Sequence, residues 1–211
     1  MYTLYYSPGA CSLVIHALFF SLEVPFEAVC VDISQGQNRT PEYLKLNPRG
    51  QVPVLAVDNK IFRESAAMAI YLAEKYKSPL LPHEGLERFK ALEWLEFYNS
   101  SLQQAYGSYF LMNKNLKEES TRQTAGALAA KRIAFLWREV EQHLADNRYV
   151  CGSTMTLAVL FHTVIANWTT VLTHDIGLGP NILRLCKEVT SMPYFQQAMQ
   201  AENIHYKLQA N

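Results

Sequence analysis

The 211-residue chain has no Cys-x-x-Cys pair, no histidine at ligand spacing from a cysteine, no net charge and no long unbroken apolar run. Each absence removes a class of function. Its cysteines, Cys11, Cys30, Cys151 and Cys186, are too scattered for a zinc site or a disulfide framework, which fits a reducing compartment and predicts no bound metal. Lysine plus arginine equals aspartate plus glutamate at 19 each, so no basic footprint suggests nucleic acid or an anionic membrane. The most apolar stretch, 156–172, is interrupted by His162, Asn167, Trp168 and several threonines and is short for a bilayer span. It reads as a helix buried in protein. The sequence opens on strand-like residues, with no basic region followed by an apolar signal core, so the expected location is cytoplasmic.

What the sequence does have is concentrated near its start. Tyr2 to Tyr6 are aromatic or β-branched apart from Leu4, as a strand requires, and Pro8-Gly9 turns the chain. From Leu13 the apolar residues recur at helical spacing, which puts Cys11 in the first turn of a helix beside amide groups that lack intrahelical partners. That field favours a thiolate and is expected to lower the Cys11 pKa by about one unit. The competing reading is a small buried cysteine with no chemistry.

Phe26 to Asp32 then reads as a second strand, parallel to the first, with Cys30 structural. Asn47-Pro48-Arg49-Gly50 is turn sequence, and Val54 to Val57 a strand with Pro53 at its start, where a cis Val52-Pro53 bond would expose the Val52 backbone to an extended ligand. Asp58-Asn59 signals a hairpin into an antiparallel strand, 60–63. Ser65 is expected to cap the helix beginning at Ala66. An acid, Glu64, beside a helix start also suits the ammonium and carboxylate of an amino acid. After a Pro-containing linker the remaining sequence reads as helices: 84–113, 120–145 with Ser120 as cap, 156–172, 180–190 and 194–202. The expected plan is an α/β domain over 1–78, a linker over 79–85 and an all-helical domain over 86–211.

Three pieces, Tyr6-Ser7-Pro8-Gly9-Ala10-Cys11-Ser12, Asn47-Pro48-Arg49-Gly50-Gln51-Val52-Pro53 and Glu64-Ser65-Ala66-Ala67, resemble the cytosolic glutathione transferases, most nearly the bacterial beta class. The resemblance implies a thioredoxin-like first domain, glutathione as co-substrate, a pocket for a hydrophobic electrophile, a role in detoxification and a homodimer. By position, it implies Cys11 as the catalytic residue beside the glutathione sulfur. Gln51, Val52 and cis Pro53 would meet the cysteinyl part, and Glu64 and Ser65 the γ-glutamyl end. Tyr6 and Ser12 are further candidates for the sulfur side, and Tyr106, with Tyr109, for the pocket.

Two departures from the beta-class pattern bear on chemistry. Gln103-Gln104 stands where that class has a His-Lys pair, so a base and a charge are missing. Val159 stands where an aspartate would close a capping box, leaving Ser153 or Thr156 to cap that helix. The resemblance therefore implies conjugation of glutathione to electrophiles, thiol exchange through a Cys11–glutathione disulfide, or both. A non-enzymatic stress regulator and a glutathione-dependent isomerase are the alternatives.

Overall fold

A computed structural model describes residues 1–58 and 60–208. The described chain separates into two units. The first comprises 1–83 and 190–206, the second 84–189 with 207 and 208.

The first unit is built on a mixed sheet of strands β1 (Tyr2–Tyr6), β2 (Glu27–Cys30), β3 (Val54–Val57) and β4 (Lys60–Phe62), in the order β2-β1-β3-β4. β1 lies parallel to β2, with Tyr6 opposite Cys30, and antiparallel to β3, with Leu4 opposite Leu55. β3 and β4 are antiparallel, joined at Asp58 and at Asn59, which is outside the described residues. The β1–β2 and β3–β4 pairings are the ones the βαβ spacing and the hairpin signal predict.

Helix α1 (Ser12–Ser21) crosses between β1 and β2 and is buried from Ser12 to Phe19. A helix apolar on every face must be covered on every face. Here α3 (Ser65–Lys75) and α9 (Pro193–Ala201) both pack against α1. That is why 190–206 groups with the first unit, where a division along the sequence places 86–211 together. Short α2 (Pro41–Leu46) is capped by Thr40, whose hydroxyl accepts from the Tyr43 amide at 3.3 Å. Beyond the sheet, Val31, Tyr43 and Val54 form a small core with Tyr5, Leu46 and Val52.

The second unit is helical: α4 (Gly85–Glu96), α5 (Gln103–Asn115), α6 (Glu119–Ala145), α7 (Leu157–Asn167) and α8 (Pro180–Thr190). The expected helix over 84–113 is widened by a π segment, Phe97–Leu102, which carries buried Tyr98 and Leu102. Helix α7 stops at Asn167, and its last turn tightens to a 3-10 segment, Trp168–Val171.

Three caps differ from those the sequence predicts. Ser65 is the first residue of α3, with Glu64 in the capping position. Likewise Ser120 lies inside α6, and its hydroxyl donates to the Glu118 carboxylate at 2.6 Å. Thr156 does occupy the capping position of α7, but its side chain makes no cap bond, and its hydroxyl lies 3.5 Å from Cys151 Sγ. The Ser120 hydroxyl goes to a nearby carboxylate and the Thr156 hydroxyl lies by a sulfur, so neither is used at its helix start.

A candidate glutathione site on the first unit

The site begins where β1 ends. Ser7 and Ser12 close the turn between them: the Ser7 amide donates to Ser12 Oγ at 3.1 Å, and Ser12 Oγ donates to the Ser7 carbonyl at 3.1 Å. Ser12 is fully buried and its one proton is committed to that carbonyl. It therefore has none to give a bound sulfur without breaking the turn. Within the turn, Gly9 adopts φ 71°, a conformation that favours glycine, and its amide donates to Glu202 Oε2 at 2.9 Å. The other oxygen of Glu202 lies 3.0 Å from His16 Nδ1, and both side chains are buried. A carboxylate from the end of the chain thus anchors the turn that carries Cys11. No local sequence pattern announces this contact, which spans 193 residues.

Cys11 sits at the capping position of α1, with αR backbone angles, and is only 2% exposed. Burial pushes its thiol pKa up. This reverses the expected direction. The field of a helix start is worth at most about 2 kcal/mol, whereas removing water from a thiolate acts more strongly in a fully buried position. Cys11 is therefore a neutral thiol near pH 7. Cys30, expected to be structural, is exposed on edge strand β2. Tyr6, its partner in register, is half-buried, stacks edge-on against His16 at 5.1 Å, and has its pKa raised, first by burial and then by Cys30. The tyrosine hydroxyl is thus no source of an anion at neutral pH.

A second stretch runs along the open end of β3. The Val52-Pro53 bond is cis. The Gln51 carbonyl accepts from Tyr43 Oη and Asn47 Nδ2, both at 2.8 Å, so α2 and the 47–50 turn set the direction of the 51–53 segment. Beside it is the start of α3. Ser65 is buried there, and Glu64 has φ 75° and ψ 106°, rare for a residue with a side chain. Arg49 Nη1 lies 2.6 Å from Glu64 Oε1 and so joins the 47–53 turn to the helix start. Gln51, Val52, Pro53, Glu64 and Ser65 all lie in the first unit, with the Arg49–Glu64 contact linking the two stretches. Arg49 has no role in the sequence reading, although a cation in a turn and an acid at a helix start are a detectable pair.

Gln103, Gln104 and Tyr106 lie in the second unit, at the start of α5. Gln104 is exposed and Gln103 half-buried. Tyr106 is completely buried, and Trp137 Nε1 donates to its hydroxyl at 2.9 Å. Tyr109 is buried as well, bonded to Thr173 and His174 at 2.8 and 2.9 Å. Both tyrosines are buried residues of the helical unit. Among the described residues, no three His, Cys, Asp or Glu side chains are grouped to hold a metal ion, and no helix is long and apolar enough to cross a membrane.

A thioredoxin-like sheet with a cis proline before its third strand, followed by a helical unit, defines a class of two-unit glutathione-handling proteins. Residues 1–74 match the family model for the glutathione S-transferase N-terminal domain. A glutathione S-transferase of Xanthomonas campestris, GST-4.5, is 29% identical over 204 residues, covering 96% of this chain and 99% of that one. Another, hmp2 of Hypomyces subiculosus, is 35% identical over 147 residues, 66% of this chain and 69% of its own. Among solved structures, a sphingomonad glutathione S-transferase complexed with glutathione superposes with TM-score 0.82 at 27% identity, covering 96% of this chain and 100% of that one. The beta-class enzyme of Sphingomonas chungbukensis gives 0.81 at 26%, covering 95% and 98%. The chain belongs to the glutathione S-transferase family.

Proposed function

We propose that this enzyme binds glutathione along residues 51–53 and 64–65 and conjugates it to hydrophobic electrophiles in the cytoplasm. The observation that carries the reading is the joining of the cis Val52-Pro53 segment to the start of α3 through the Arg49–Glu64 pair. An extended peptide needs backbone partners along its length, which such a strand entry supplies. Its α-ammonium group needs an acid and its α-carboxylate a helix start, which Glu64 and Ser65 supply.

The chemical step is attack of the glutathione sulfur on an electrophilic carbon. The thiol proton must leave before or during attack, and the leaving group departs with the electron pair of its bond. The thiolate is stabilised by the positive end of α1. Cys11, being neutral, borders the sulfur without repelling it. Its burial favours conjugation over exchange through a Cys11–glutathione disulfide, because exchange requires an accessible thiolate. Retention on immobilised glutathione together with turnover of an aryl halide supports the reading; retention without turnover refutes conjugation, and failure to bind refutes the whole.

A homodimer forms part of the same proposal. A cavity of about 470 Å³ on the first unit is lined by Leu55, Val57, Phe62, Met68 and Tyr71 together with charged Asp58, Lys60 and Arg63. On the second unit, α4 exposes Leu86 and Phe89 beside Glu87. An apolar groove and a helix with exposed apolar side chains can meet between two copies. Light scattering that returned the monomer mass of 24.1 kDa at micromolar concentration would refute it.

A further inference from the structure

We infer that Arg49 is a positioning residue for the glutathione site: it holds one oxygen of the Glu64 carboxylate so that the other meets the α-ammonium group of the ligand. The inference rests on the reading above that Glu64 receives that group. Three observations support it.

The first is the contact itself, 2.6 Å from Arg49 Nη1 to Glu64 Oε1. The Glu64 side chain is 66% exposed. Without a partner, so exposed a carboxylate would sample several rotamers, and a ligand would lose affinity by having to select one.

The second is the rigidity of the turn that carries Arg49. The Arg49 amide donates to Asn47 Oδ1 at 3.2 Å, and Arg39 Nη1 donates to the Arg49 carbonyl at 3.4 Å. Asn38 Nδ2 donates to the neighbouring Gly50 carbonyl at 2.7 Å. Gly50 has φ 63°, and a Cβ there would lie 2.8 Å from both Arg39 Nη1 and the Asn38 carbonyl. The turn therefore requires glycine at 50 and presents Arg49 from a fixed base.

The third is the backbone of Glu64, whose positive φ must be held by its surroundings. An exposed ion pair stabilises a fold little. Stability is thus a weak reason for a fixed turn to reach a residue in a rare conformation, and orientation of the carboxylate is a sufficient one. A carboxylate accepts at both oxygens, so one can serve Arg49 and the other an ammonium. Repulsion between the two cations is screened because both sites face water.

The test compares wild type, Arg49→Gln and Arg49→Lys against two ligands, glutathione and its analogue lacking the α-amino group, glutaryl-cysteinyl-glycine. Arg49→Gln is expected to raise the Kd and KM for glutathione about fivefold, with kcat and the melting temperature unchanged. Arg49→Lys is expected to recover part of the loss, since it keeps the charge but not the planar fork. The analogue is expected to bind wild type and Arg49→Gln equally, because it offers Glu64 no ammonium. Unchanged or tighter glutathione binding by Arg49→Gln overturns the inference, as does an equal loss for the analogue, which would mean that Arg49 touches another part of the ligand. Failure of wild type itself to bind glutathione overturns the functional reading, and the inference with it.

Discussion

The hydroxyl of Tyr98 lies 2.8 Å from His162 Nδ1, deep in the second unit, while His162 Nε2 lies 3.3 Å from the Ile182 carbonyl. A carbonyl only accepts, so Nε2 carries the proton and Nδ1 accepts from Tyr98. The imidazole is neutral, and burial pushes its pKa down to about 4. In the unfolded chain the same group titrates near 6.5. Between those values the unfolded chain binds the extra proton, so His162 makes stability fall as pH falls through that window. Wild type should lose about 2 kcal/mol between pH 7 and pH 5 relative to His162→Gln. Urea unfolding of both proteins at the two pH values checks this. Equal losses would mean that His162 does not titrate in this way.

Thiol reactivity should follow exposure rather than position at a helix start. Native-state alkylation near pH 7.5, read by peptide mass, should modify exposed Cys30 well before buried Cys11 and Cys186. Oxidised glutathione should follow the same order, so the Cys11→Ala variant should still form an adduct. Fast modification of Cys11 would show that the site opens to solvent and that thiol exchange there is feasible.

Glu202 ties Gly9 and His16 together in a buried position. Its pKa is raised by burial, although His16 and the Gly9 amide pull it the other way. The Glu202→Ala variant leaves a buried imidazole and a turn amide without this carboxylate and should cost about 3–5 kcal/mol. Thermal melts would measure the loss. A change below about 1 kcal/mol would mean that water replaces the carboxylate at little cost.

Glu141 of α6 closes the start of α8. Its carboxylate accepts from the Asn181 and Ile182 amides at 3.1 and 3.0 Å and from Asn181 Nδ2 at 2.8 Å. Replacing it with alanine should cost about 0.5–2 kcal/mol, the range for loss of a cap. A Cβ at Gly179 would collide with the Glu141 carboxyl group, so Gly179→Ala should be similarly destabilising. The two losses should not add, since both remove the same cap. Additive losses would argue that Gly179 matters for a different reason.

Much of the first unit was legible because its signals are local. Aromatic and β-branched residues marked β1, Pro-Gly and Asn-Pro marked the turns, and Val52-Pro53 pointed to the bond that is cis. Single residues carry the site reading only this far: Val52, Pro53, Glu64 and Ser65 all lie in the first unit. What could not be read depends on partners distant in sequence. Cys11 reads as activated when only its helix is considered, and its burial in the folded unit reverses its electrostatics. A trace of this was available, since Leu13 to Phe19 are apolar on every side except His16. The Gly9–Glu202 contact left no trace, because an acid near the end of a sequence looks like surface.

Glutathione recognition by Glu64 and Ser65 is the claim on which the functional account stands, and steady-state conjugation of an aryl halide by Ser65→Ala tests it most directly. Charged hydrogen bonds contribute about 1.5–3 kcal/mol. The account predicts a KM for glutathione raised about tenfold or more, with kcat within about twofold of wild type, in a variant whose melting curve shows it folded. A folded Ser65→Ala variant with an unchanged KM would contradict it.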